Sequence, residues 1–209
     1  MKRFVVTGTD TGLGKTVFAA ALAGALKGLY FKPVQAGHSF NQEGGETDSD
    51  IAARLSAGPV LPEIYRLKLA ASPHKAAAAE GIRIDPKKLV LPKSSVPLIV
   101  EGAGGLMVPL NERTLYIDVF ARWKAPLILC ARTSLGTINH TLLSLEAIGA
   151  RKIELLGIAF IGEANDDSER IIVKMSKAKR LGRLPIVSPL NAKTLAKAFA
   201  AGFSLQDFQ

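Results

Sequence analysis

Residues 4–26 leave little freedom in how this chain can fold. Phe4–Thr7 is a short apolar strand, Gly8-Thr-Asp-Thr-Gly-Leu-Gly-Lys-Thr16 is a glycine-rich turn, and Lys15–Leu26 is an alanine-rich helix. A strand that turns through glycines into a helix aims several backbone N–H groups and the positive end of the helix dipole at one point. That arrangement suits a phosphate. Gly12, Leu13, Gly14, Lys15 and Thr16 are therefore the expected phosphate binders. Lys15 would bring a charge to the β and γ phosphates of a nucleotide, and the Thr16 hydroxyl could hold Mg²⁺. The spacing departs from the usual one, because five residues separate Gly8 from Gly14 and Thr9 stands where a glycine belongs.

The rest of the chain repeats this alternation. Strand-like runs are Phe4–Thr7, Leu29–Lys32, Leu98–Glu101, Leu127–Ala131, Leu155–Ile161 and Leu184–Ser188. Helical patterns lie between them, at Lys15–Leu26, Ser49–Ser56, Pro73–Glu80, Ile117–Trp123, Ile138–Ile148, Asp167–Lys177 and Ala192–Ala201. Most of the strand runs are apolar throughout rather than alternating, as strands covered on both faces are. Such an order predicts an α/β fold: a doubly wound, mainly parallel sheet with helices on both faces. With 209 residues, 48% of them hydrophobic, one domain spanning 1–209 is expected.

In such sheets ligands sit beyond the carboxyl ends of the strands. The informative residues lie there. Phe31-Lys-Pro-Val-Gln-Ala-Gly37 puts Lys32 at a strand end, with Pro33 fixing the exit path. Val100-Glu-Gly-Ala-Gly-Gly105 puts Glu101 where a second Mg²⁺ ligand is expected, and Gly102 and Gly104 allow a ligand to approach the backbone. Asp48 and Asp50 offer a further carboxylate, and either could instead cap a helix. Ser134-Leu-Gly-Thr-Ile-Asn-His140 opens a helix whose start, with Thr137 and Asn139, could bind a carboxylate or be plain capping. The polar stretch from Ser39 to Asp48 reads as a mobile loop.

Other functions find less support. The formal net charge is +9, but the densest basic cluster (Lys174, Lys177, Lys179, Arg180 and Arg183) has no interleaved aromatic residues. It reads as a solvated helix face and the turn after it, not a nucleic-acid surface. Cys130 lies in an apolar run, and a single cysteine makes no internal disulfide, which fits a reducing cytosol. The N-terminus enters a strand directly, without a signal core, and no apolar run reaches the roughly 20 residues of a membrane span. A soluble cytoplasmic protein is expected. His38, His74 and His140 lack metal-ligand spacing, and no serine–histidine or cysteine–histidine signature is present.

Taken in order, Gly8–Thr16, Lys32-Pro-Val with Gly37, Ser49-Asp50, Ser72-Pro-His74, Glu101–Gly105 and Gly136–His140 resemble the dethiobiotin synthetase family over about the first two-thirds of the chain. The resemblance implies that 7,8-diaminononanoate takes up CO₂ (supplied as bicarbonate) on one amine as a carbamate. ATP phosphorylates the carbamate, the second amine closes the ring, and ADP and phosphate leave. It implies Lys15 and Lys32 as catalytic charges, with Thr11 and Lys32 on the substrate. It implies Mg²⁺ on Thr16, Asp50 and Glu101, Asp50 being favoured because it matches the Ser-Asp pair. The substrate carboxylate would lie near Gly136, Thr137 and Asn139 of a neighbouring subunit, so a homodimer follows. Two positions depart from the family: Ala36 replaces a common serine, and Ile161 stands where an asparagine often reads adenine, which leaves backbone groups or Asn165. Partition-type switch ATPases share the fold but carry a second lysine early in the loop, where this chain has Asp10. Cobyric-acid-type ligases are a further alternative.

Overall fold

The structure is a computed structural model that describes residues 2–37 and 45–209. The expected loop from Ser39 to Asp48 lies largely outside these residues.

The central sheet has seven strands in the order β11-β10-β9-β1-β6-β2-β4. In chain order they are β1 (Arg3–Gly8), β2 (Leu29–Phe31), β4 (Val60–Leu61), β6 (Leu98–Glu101), β9 (Leu127–Arg132), β10 (Leu155–Ile161) and β11 (Arg180–Leu184). Every pairing is parallel. Alternate residues of one strand feed two separate cores. Val6 and Ile128 face the layer of α1 (Lys15–Leu26), α2 (Asp48–Ser56) and α7 (Ala192–Gly202). Val5, Leu127 and Leu129 face the layer containing α3 (Pro73–Ala79), α4 (Tyr116–Trp123) and the end of α5 (Thr137–Ala150). This two-sided burial is why the strands are apolar throughout. The remaining helix, α6 (Asp166–Ser176), packs through Ile172 with Ala131, Ile158 and Phe160.

Three features differ from the sequence reading. The last strand is Arg180–Leu184, earlier than Leu184–Ser188. Its Gly182 lies so near Gly202 that an added Cβ would sit 2.0 Å from the Gly202 carbonyl oxygen. Arg180 and Arg183 of the basic cluster are thus strand residues, and both pair with the buried Glu169. Finally, two small two-stranded sheets appear, β3 (Val34–Ala36) with β5 (Tyr65–Leu67), and β7 (Pro109–Asn111) with β8 (Thr114–Leu115). Among the described residues, no helix is long and apolar enough to cross a membrane.

Candidate active site

β1 lies between β6 and β9, so its carboxyl end opens into the crevice where the crossovers diverge. The turn after it runs through Gly12 and Gly14 at φ +69° and +101°, left-handed values that suit glycine. Gly14 caps α1, and no side chain hydrogen-bonds there, so the first N–H groups of the helix remain available to an anion. Leu13 between them is buried in the core and anchors the turn. Gly8 is required for a different reason. An added Cβ would lie 2.8 Å from Leu13 Cδ2 and 3.0 Å from Lys15 Cδ, so the Lys15 stem fills the space above it.

The loop after β6 packs onto this turn. An added Cβ on Gly104 would lie 3.5 Å from Thr11 Oγ1, and one on Gly102 would lie 2.7 Å from Phe120 Cζ. A cavity of about 580 Å³ lies between them, lined by Thr11, Gly12, Gly14, Lys15, Thr16, Lys32, Asp48 and Glu101 among others.

Inside it the charges converge. Glu101, 1% exposed, accepts from Thr16 Oγ1 at 2.9 Å and Lys32 Nζ at 2.8 Å on Oε1, and from the Tyr30 hydroxyl at 2.7 Å on Oε2. Lys32 also forms an ion pair with Asp48. Burial alone would strip Lys32 of its charge, but Glu101 and Asp48 outweigh it and hold its pKa above the ordinary lysine value. Burial would likewise push the Asp48 carboxyl up, but Lys32 and the Thr16 hydroxyl pull it below its usual range. Lys15 goes the other way, since burial lowers its pKa and the attraction of Glu101 does not restore it. Its ammonium donates to the Asp10 carbonyl at 2.7 Å, and the Asp10 carboxylate pairs with Arg132 at 2.5 Å.

Lys15, Lys32, Thr11, Thr16, Glu101 and the loop glycines are therefore brought together. Asp50 is not placed with them. Its carboxylate accepts from the Thr47 amide at 2.8 Å and the Thr47 hydroxyl at 2.7 Å, closing the capping box of α2. Asp48, two residues earlier, is the acid in the crevice. Gly136, Thr137 and Asn139 lie at the start of α5, apart from the cavity lining. Gly136 is the N-cap, Asn139 is exposed, and the buried Thr137 hydroxyl donates to the Arg132 carbonyl. Asn165 uses its side chain internally, donating to the Thr133 carbonyl at 2.9 Å and capping α6 at Ser168. Cys130 is buried, and burial raises its pKa, so it is no nucleophile. The sequence reading did not single out Tyr30 or Gln35. Tyr30 is polar within an apolar strand, a signal visible in the sequence, whereas Gln35 lies in a three-residue strand that gives no such signal.

A parallel sheet, a glycine turn onto a helix with Gly-Lys-Thr, and an acid at the end of the neighbouring strand define a phosphate-loop ATPase. Solved structures give the same fold. The MinD cell division ATPase of Pyrococcus furiosus aligns with TM-score 0.57 at 14% identity, covering 95% of this chain and 97% of that one. A ParA family ATPase from Chlorobium tepidum aligns with TM-score 0.56 at 13% identity, covering 94% and 96%. Identities this low speak for the fold alone. A family model described as an AAA domain matches residues 2–194.

Sequence relatives narrow the class. The ATP-dependent dethiobiotin synthetase BioD of Rhodopseudomonas palustris strain TIE-1 is 63% identical over 209 residues, which is 99% of this chain and 96% of the relative. The enzyme of the same name from Brucella melitensis biotype 1 is 54% identical over the same shares. This chain belongs to the ATP-dependent dethiobiotin synthetases.

Proposed function

We propose that this chain is a cytoplasmic enzyme converting 7,8-diaminononanoate, CO₂ and ATP into dethiobiotin, ADP and phosphate. The observation that carries the reading is the pair of buried lysines facing two carboxylates and the Thr16 hydroxyl in one cavity. One amine of the substrate adds to CO₂ and loses a proton, giving a carbamate. A carbamate oxygen attacks the γ-phosphorus of ATP and expels ADP. The second amine attacks the carbonyl of the resulting anhydride and loses a proton, the ring closes, and phosphate leaves with the C–O bonding pair. None of these steps needs a nucleophilic side chain. They need charge and positioning.

Lys15, released from the Asp10 carbonyl, binds the β and γ phosphates together with the amides of Gly12–Thr16. Gly102 and Gly104 let the nucleotide approach the backbone behind Glu101. Lys32 holds the carbamate, and Thr11 orients it. Ala36, Ala70, Ala71, Pro73 and Val108 form an apolar wall suited to the aliphatic chain. Thr16, Asp48 and Glu101 are three hard oxygen donors already gathered around an ammonium, a set that suits Mg²⁺. When bound, the ion supplies positive charge to the phosphates. We assign the substrate carboxylate to Gly136, Thr137 and Asn139 of a second copy. Leu135 and Leu143 expose apolar surface beside that helix start, which supports a homodimer.

The test is phosphate release from ATP, with and without 7,8-diaminononanoate, in bicarbonate buffer with Mg²⁺. Release should require the diamine. Release that ignores it would instead favour a switch ATPase. CTP and GTP run in parallel should be used nearly as well as ATP. Ile161 is apolar, and the Asn165 side chain already donates to the Thr133 carbonyl and caps α6, so among the described residues neither is set to read the base. A preference for ATP above about tenfold, or ~1.4 kcal/mol, would contradict that account.

A further inference from the structure

Tyr30 lies on β2 and is wholly buried. Its register partner on β6 is Ile99, and both belong to the core beneath α1 and α2. Residues two apart on a strand share a face, so Glu101 stands on the same face as Ile99, diagonally across from Tyr30. A tyrosine is long enough to span that diagonal. A phenylalanine would fill the same space and need no partner, so packing does not account for the hydroxyl. What it touches does. It donates to Glu101 Oε2 at 2.7 Å. Among the described residues no other donor reaches that oxygen, since Thr16 and Lys32 both donate to Oε1, at 2.9 and 2.8 Å. Glu101 lines the cavity and Tyr30 does not, so the hydroxyl grips the acid from behind. A terminal carboxylate turns readily about its last bond. Held at Oε2, this one keeps Oε1 on the side of Thr16 and Lys32.

We propose that Tyr30 is a positioning residue for the metal site, which fixes the Glu101 carboxylate so that Oε1 is presented with Thr16 to the Mg²⁺ of the bound nucleotide. The inference rests on the metal set proposed above and adds to it a residue that touches neither metal nor substrate. Partners of this kind hold a ligating carboxylate in one orientation, and their loss weakens metal binding although every ligand remains. Without the hydroxyl, Oε2 would be a buried carboxylate oxygen lacking a donor, and the group would turn to share Lys32 between its two oxygens.

Calorimetric titration of the full chain with ADP, in Mg²⁺ and in EDTA, tests this. Tyr30→Phe keeps the ring and the packing and removes the donor. Its affinity for ADP in EDTA should stay near wild type, because Lys15 and the loop amides carry it. The Mg²⁺ concentration that half-saturates the ADP complex should rise roughly 10- to 100-fold. The Mg²⁺ needed for half-maximal diamine-dependent phosphate release should rise with it. An unchanged Mg²⁺ requirement would overturn the assignment. So would equal weakening of ADP in Mg²⁺ and in EDTA, which marks a purely structural role. If Tyr30→Phe does not fold, 3-fluorotyrosine at position 30 decides, since it keeps both ring and hydroxyl. Its fluorine resonance should move when Mg²⁺ joins the ADP complex, and a resonance blind to Mg²⁺ would overturn the assignment. A wild type whose ADP affinity ignores Mg²⁺ would defeat the metal set itself. A Mg²⁺-sensitive wild type matched by Tyr30→Phe defeats this inference alone.

Discussion

Asp48 and Asp50 are two residues apart, yet the structure gives them separate work, and exchanging each for a neutral residue should split stability from activity. Asp50→Ala removes the acceptor of the Thr47 amide and hydroxyl, at 2.8 and 2.7 Å, and so opens the capping box of α2. Loss of such a cap costs about 1 kcal/mol. In a chain of 209 residues that lowers Tm by roughly 2–4 °C. Turnover and the Mg²⁺ concentration for half-maximal rate should stay near wild type. Asp48→Asn leaves the cap intact. Lys32 keeps Glu101 at 2.8 Å, so its charge is not orphaned, and the cost falls well short of the ~3–5 kcal/mol of a broken buried pair. What is lost is the negative charge on one of the three proposed oxygen donors. The rate should fall about 100-fold or more, with half-saturation moved to higher Mg²⁺. Thermal melts and Mg²⁺ titrations of both variants settle the matter. Near wild-type turnover in Asp48→Asn with collapse in Asp50→Ala would refute the placement.

Lys15→Ala and Lys32→Ala should each slow the single-turnover chemical step by about 100- to 1,000-fold, with far-UV circular dichroism unchanged, and near wild-type turnover would remove the assigned role. The pH dependence of kcat/KM for ATP should carry an alkaline limb below the ordinary lysine value of 10.5, because burial lowers the Lys15 pKa and the ammonium that binds phosphate is lost as pH rises through it. A limb at or above 10.5 would contradict the burial of Lys15.

The helix layers and sheet core were legible because two-sided burial makes strands apolar throughout, and that pattern needs no knowledge of neighbours. The short sheets of β3 with β5 and β7 with β8 were not, since two- and three-residue strands carry no periodicity. The last strand shifted because Arg180 and Arg183, charged and so read as a solvated turn, both pair with one buried acid from α6. At the site, Lys15, Thr16, Lys32 and Glu101 were readable from their places after strands. Between the aspartates, the capping role weighed for either falls to Asp50, since Thr47-x-x-Asp50 forms a capping box while Asp48 lines the cavity.

Membership of the dethiobiotin synthetases leaves the question of what fixes the glycine-rich loop in place. Part of the answer lies at Asp10. Here the carboxylate at that position pairs with Arg132 at the end of β9, and the carbonyl of the same residue holds Lys15 at 2.7 Å. One residue therefore ties the loop to the neighbouring strand and holds the Lys15 ammonium. A lysine at position 10 would face Arg132 with like charge and lose that tie. The loop is thus fastened from within its own chain.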